Sequence, residues 1–153
     1  MKNLLLLLSF LTILSCGSDE NAQADTSIAS ITGLWKVVSS TADGFTFDYV
    51  DCDTPVAGME PLIGVYNFKA DGTVDISSMC KPEDGTLTTS YSFEDNELAM
   101  VLNNDVEWKA SASALSGGRV KFEFFWNSDE GAVSGKSFIL QPTTAEEVAA
   151  GGS

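Results

Sequence analysis

Apolar and polar positions alternate along most of the chain from Ile31 onward, with the period of two that marks a strand buried on one face. In Gly64-Val65-Tyr66-Asn67-Phe68-Lys69, the rings of Tyr66 and Phe68 share a face. Val74, Ile76 and Ser78 share the next, followed by Leu87, Thr89, Tyr91 and Phe93, and then by Leu98, Met100 and Leu102. The pattern is sharpest from Arg119 to Trp126. There Val120, Phe122, Phe124 and Trp126 point one way while Arg119, Lys121 and Glu123 point the other. Phe138 and Leu140 close the series. Between these runs stand turn signals: Asp43-Gly44, Asp71-Gly72, Asp84-Gly85, Asp95-Asn96, Asn103-Asn104, Gly117-Gly118 and the stretch from Asn127 to Gly131. Such residues tolerate the positive φ angles of tight hairpins.

The spacing predicts eight strands, at about 33–41, 62–69, 73–80, 86–93, 97–102, 105–115, 119–126 and 134–141. The fold class is therefore all-β. Eight antiparallel strands with one apolar face close into an up-and-down barrel, which leaves no exposed edge. A two-sheet sandwich is the alternative, and the nearly unbroken series of short hairpins favours the barrel. One connection, 42–61, is too long to be only a link in a compact domain. Past Pro142, Thr143-Thr144-Ala145-Glu146-Glu147 has the spacing of a capping box, and Gly151-Gly152 would stop a helix. So short a helix within 143–153 holds only if it packs on the barrel.

The first thirty residues differ in kind. Met1, Lys2 and Asn3 precede an apolar run from Leu4 to Leu14, interrupted by Ser9 and Thr12. A basic head and a short apolar stretch make a secretory signal, and the run is well short of the roughly twenty residues a membrane-spanning helix needs. Its end, Leu11-Thr12-Ile13-Leu14-Ser15-Cys16-Gly17, resembles the lipobox of bacterial lipoproteins. That resemblance implies cleavage before Cys16, lipidation of its thiol, and attachment to a membrane through the lipid. Residues 1–15 are then a signal peptide. Residues 16–30, polar and small apart from Ile28, are a flexible acidic tether. Ser18-Asp19-Glu20 resembles the acidic signal that sends lipoproteins of Bacteroidetes-type bacteria to the outer face of the outer membrane, and reads equally as plain solvated linker.

Charge narrows the partners. The chain carries 8 basic and 22 acidic side chains and no histidine; losing the signal removes Lys2 and takes the net charge from −14 to −15. Nucleic acid and anionic lipid both demand basic surface, so neither is an expected partner. The lack of histidine excludes Ser-His and Cys-His catalysis and His-based zinc sites. With Cys16 lipidated, Cys52 and Cys80 remain in an oxidising compartment, where a disulfide is expected rather than free or metal-bound thiols. In an up-and-down barrel of eight strands, Cys52 in the first connection and Cys80 at the end of the third strand fall at one end. An additional through-going strand at 45–50 would separate them.

Ile31-Thr32-Gly33-Leu34-Trp35-Lys36-Val37-Val38, with Phe68-Lys69-Ala70-Asp71-Gly72-Thr73-Val74 further on, resembles the lipocalin-like lipoproteins of Bacteroidetes over 31–142, most of the chain. Gly33-Leu34-Trp35 matches the Gly-x-Trp of the first lipocalin strand. The resemblance implies a lipocalin-like barrel whose closed end is plugged by Trp35.

Candidate chemistry gathers at the other end. The 42–61 connection carries Phe45, Phe47, Tyr49, Val50, Val56 and Met59, which form either a lid over a small cavity or a cap on a filled core, or else a small additional hairpin. With inward Tyr66, Phe68, Tyr91, Trp108 and Phe124, Phe45 and Phe47 are the candidate residues for a small apolar or amphipathic ligand. Phe93, Phe122 and Trp126 are expected inside as well. An eight-stranded barrel is only just wide enough to be filled by side chains or to hold one small ligand. Asp48, Asp51 and Asp53 lack the pattern of a calcium loop and read as solvated turn residues, so no metal or cofactor is expected. Asp129 and Glu130 are adjacent on a turn and do not converge on a substrate, and no catalytic set is expected. Two functions remain: a binding module with a ligand at the barrel mouth, and a filled barrel that contacts another envelope protein. A continuous pocket of about 300 Å3 or more favours the first. A packed centre with an exposed apolar patch favours the second.

Overall fold

The computed structural model describes residues 28–48, 64–78, 84–102 and 105–151. These form strands β1 (Gly33–Ala42), β2 (Phe45–Asp48), β3 (Gly64–Phe68), β4 (Thr73–Ser78), β5 (Thr86–Glu94), β6 (Glu97–Leu102), β7 (Val106–Ala114), β8 (Val120–Asn127), β9 (Gly131–Ala132) and β10 (Ser137–Pro142), followed by helix α1 (Ala145–Gly151). Every pairing is antiparallel. Eight strands follow one another around the sheet as β1-β3-β4-β5-β6-β7-β8-β10, and β10 pairs back onto β1. The sheet closes. The architecture is an all-β, eight-stranded antiparallel barrel compatible with a lipocalin-like fold.

Two short strands lie off that circuit. Asp43 and Gly44 both have positive φ (52° and 82°), the geometry of a two-residue hairpin turn, and they fold β2 directly back onto β1. Part of the long connection is thus a small additional hairpin. It does not thread the barrel, because β1 pairs with β3 through Gly33 to Lys36 and with β2 only through Ser39 to Ala42. At the far side, β9 pairs with the last residues of β8.

The closed pole is sealed by the segment that enters β1. Ile31 is 1% exposed, and the Trp35 indole N–H donates to its carbonyl at 2.7 Å. Trp35 therefore plugs this end as the Gly-x-Trp resemblance implies. Gly33 has a φ of 130°, which a side chain would strain, and this explains the glycine in that motif. The Ile28 N–H donates to Asn96 Oδ1 in the β5–β6 turn, and the Tyr91 hydroxyl donates to the Lys69 carbonyl in the β3–β4 turn. Above this seal, Phe68, Leu98, Met100, Phe122 and Leu140 fill the centre, each 2% exposed or less. Fully burying a side chain of this size stabilises the fold by about 1.5–3 kcal/mol.

Helix α1 starts as the sequence predicts. Thr144 Oγ1 accepts from the Glu147 N–H at 3.2 Å while Glu147 Oε2 accepts from the Thr144 N–H at 3.3 Å, a reciprocal capping box. The Thr143 hydroxyl also donates to Glu147 at 2.8 Å, and these bonds hold the Glu147 carboxyl below its usual pKa. Ala145 and Val148 border a groove on the outer wall with Leu34 and Val65, which supplies the packing that so short a helix requires.

Strict alternation fails at two places. Between Val37 and Ser39 the pairing of β1 with β10 slips by one residue, leaving Val38 as a bulge. Between Phe124 and Trp126 the pairing of β8 with β7 slips in the same way at Phe125. A bulge inserts one residue and reverses the facing of everything beyond it. Trp126, expected inside, is accordingly turned outward and 39% exposed, while Asn127 is turned in and buried. The Asn127 side-chain oxygen is satisfied by the N–H groups of Asp129 and Glu130.

Candidate functional site

Both bulges lie next to β10, one on each of its neighbouring strands, at the end of the barrel opposite Trp35. On β1 the bulge sets which residues face the interior. Beyond Val38, Ser40 stands directly opposite Phe138 and shares its face, and Ala42 follows two residues later. The wall of β1 at the mouth is thus made of small side chains. A half-enclosed cavity of about 240 Å3 opens there.

Its lining draws on most of the circuit. Ser40, Thr41 and Ala42 come from β1, Tyr66 from β3, Leu102 from β6, Trp108 from β7, Phe124 from β8, and Ser137 and Phe138 from β10, with Lys136 just before it. The rings brace one another. Phe124 lies 4.7 Å from Phe138 and 5.4 Å from Trp108, and Tyr66 stacks on Phe138 at 5.9 Å. Contacts of this kind hold rings in fixed orientations, so the cavity wall is preformed. Gly64 contributes indirectly, because a Cβ there would stand 3.2 Å from the Tyr66 ring. Burial pushes the Tyr66 phenol up to about 12, so it stays a neutral hydroxyl throughout the physiological range.

The rim carries the charge. Lys136 Nζ sits 5.5 Å from the centroid of the Trp108 ring and 3.2 Å from Glu130 Oε2. The alkyl stem of a lysine in this position lies along the wall while its ammonium faces water. No aspartate or glutamate is among the described lining residues. At the mouth end and on the outer wall some apolar side chains reach solvent: Phe45, Leu87, Phe125 and Trp126 are the exposed large hydrophobic side chains among the described residues.

The predicted residues therefore divide. Tyr66, Trp108 and Phe124 meet at the cavity. Phe68 is packed in the centre, 1% exposed, and Tyr91 contacts it edge-on at 4.9 Å near the closed pole. Neither reaches the mouth. Phe45 is 68% exposed and lies on β2 opposite Ala42. Phe47 lies on β2 opposite Ser40. Cys16, Cys52 and Cys80 lie outside the described residues, and with them the expected lipidation and disulfide; so do Asp51 and Asp53. Lys136, Ser40, Ala42, Leu102, Ser137 and Phe138 are lining residues that sequence reasoning missed. A signal for one of the two bulges was present: three consecutive aromatics, Phe124-Phe125-Trp126, cannot all obey alternation.

No known family model and no curated protein matches this chain.

Proposed function

We propose that the chain is a membrane-anchored, lipocalin-like lipoprotein, lipidated at Cys16, that binds a small apolar or amphipathic molecule at the barrel mouth. The observation that carries the binding half is the aromatic-walled cavity of about 240 Å3. This is somewhat below the ~300 Å3 at which pockets for drug-sized molecules begin, so the ligand is correspondingly small. Binding is the role these features support: the chain has no histidine, and among the described lining residues the one charged side chain is Lys136, paired with Glu130 at the rim. The lipobox-like run supports a lipid-anchored address at the outer membrane, and the Ser18-Asp19-Glu20 segment fits either its surface face or a plain tether on the periplasmic side.

Native mass spectrometry of the soluble Cys16→Ser protein tests the binding half. Small molecules that copurify with it and are lost on Ala42→Phe are the expected result; a chain that is always empty overturns it. Labelling with a radioactive fatty acid tests the anchor, with incorporation that disappears in Cys16→Ser.

A second reading has its own support. Adjacent Phe125 and Trp126 are 42% and 39% exposed on the outer wall, a surface of the kind used to contact another protein. In this reading the barrel is an interaction module for an envelope protein. Crosslinking in intact cells that is lost on Phe125→Ser/Trp126→Ser, with ligand content unchanged, would favour it.

A further inference from the structure

We infer that the mouth cavity selects acidic amphiphiles, specifically a monocarboxylate on a short aliphatic or aromatic body, with Lys136 receiving the carboxylate. This rests on the reading of the cavity as a ligand site. The first argument is a contrast of charge. The chain has 22 acidic and 8 basic side chains, yet the described lining of this cavity includes a lysine and no acid. A net charge so negative favours cations over anions in general. At the mouth a cationic head would meet the Lys136 ammonium, whereas a carboxylate finds a charge-assisted donor. Lysine can only donate, so the Lys136 ammonium offers a hydrogen-bond donor to an oxygen acceptor at this wall.

The second argument is that Lys136 is placed and exchangeable at once. Its ammonium is held by the Trp108 face at 5.5 Å, on the same wall that the ligand body would touch. Its counter-charge, Glu130 at 3.2 Å, belongs to the β8–β9 turn, and the two side chains are 34% and 57% exposed. An exposed pair of this kind contributes little, so a ligand carboxylate displaces Glu130 into water at small cost. The third argument is size. About 240 Å3 corresponds to roughly eight water molecules at ~30 Å3 each, room for a short chain or a single ring system and not for a long lipid tail.

Calorimetric titration of the soluble Cys16→Ser protein with octanoate, 1-octanol and octylammonium tests the inference, since the three share a chain and differ in the head. Octanoate is expected to bind at least about tenfold more tightly than either of the others, the worth of one charge-assisted hydrogen bond. Lys136→Met should bring octanoate down to the level of octanol and leave octanol unchanged. Glu130→Gln should act in the opposite direction, strengthening octanoate a fewfold, which no loss of folding would imitate. Equal binding of octanoate and octanol, or a preference that survives Lys136→Met, overturns the inference while the mouth remains a binding site. If none of the three binds, the inference falls, and the copurification experiment, which depends on no chosen probe, decides whether the binding function falls with it.

Discussion

The two poles of this barrel are built from similar residues and behave differently. At the closed pole each polar group near the core has a partner supplied by a neighbouring turn: Trp35 to Ile31, Ile28 to Asn96, Tyr91 to Lys69. Alternation there is unbroken, and large side chains meet across the axis. At the mouth two bulges interrupt the alternation on either side of β10, the end of β1 carries only small residues, and rings surround a space that they do not fill. The number of rings therefore does not decide whether a barrel is filled. What decides it is the size of the residues that stand on the wall at the height in question. On β1 these are Ser40, Thr41 and Ala42, and a space of about 240 Å3 is left beside the rings.

The largest effect that tests this contrast is expected at the closed pole. Trp35→Ala removes a buried indole and leaves the Ile31 carbonyl without its donor, and should cost about 3–5 kcal/mol in urea unfolding. The fraction that still folds should bind probes at the mouth as before. An equal loss of binding would show that the poles are not independent.

Tyr66 gives a second test, through alkali. Its folded pKa is raised from 10.0 to about 12, so the folded chain keeps the proton to a higher pH than the unfolded one. That stability is intact below pH 10 and is lost as pH rises toward 12, amounting to about 2–3 kcal/mol for a shift of about two units. Wild type should lose this much relative to Tyr66→Phe across that window in denaturant titrations. Parallel curves would mean that the phenol is hydrated.

Ala42→Phe should sharpen the contrast from the other side. It adds a ring where the wall is lined by small residues, and is expected to change stability by less than about 1 kcal/mol while abolishing octanoate binding. A matching substitution in the packed centre, Val74→Phe, should do the reverse: Val74 is 0% exposed, and overpacking there typically costs about 1–3 kcal/mol. The smallest effect belongs to the outer wall, where Trp126→Ser should leave the unfolding free energy within about 0.5 kcal/mol of wild type, as for most surface substitutions. A large loss would mean that the ring still faces inward.

Much of the barrel was legible because its cause is local. A period of two places Tyr66 and Phe68 together, and Asp43-Gly44 and Asp95-Asn96 announce turns because both residues of each pair adopt positive φ. The capping box at Thr144 and Glu147 is a matter of two residue types at one spacing. The mouth was less legible. Strand β2 follows an Asp-Gly turn and alternates Phe45, Thr46, Phe47, a hairpin signal that stands among the readings of the 42–61 connection without deciding between them. The bulges at Val38 and Phe125 arise from the pairing of strands and not from any residue's own preference, since a bulge is a mismatch in length between two partners. That is why Trp126 was expected inside, and why Lys136, which gains its place only from the register of β10, was not expected at the site at all.

The entry into β1 passes beneath the closed pole, where Ile28 is pinned to the β5–β6 turn. Cys16 stands twelve positions earlier, a reach of at most ~40 Å at full extension. The described chain thus enters the barrel at the pole away from the cavity, and a molecule could pass in and out of that cavity without disturbing the entry segment.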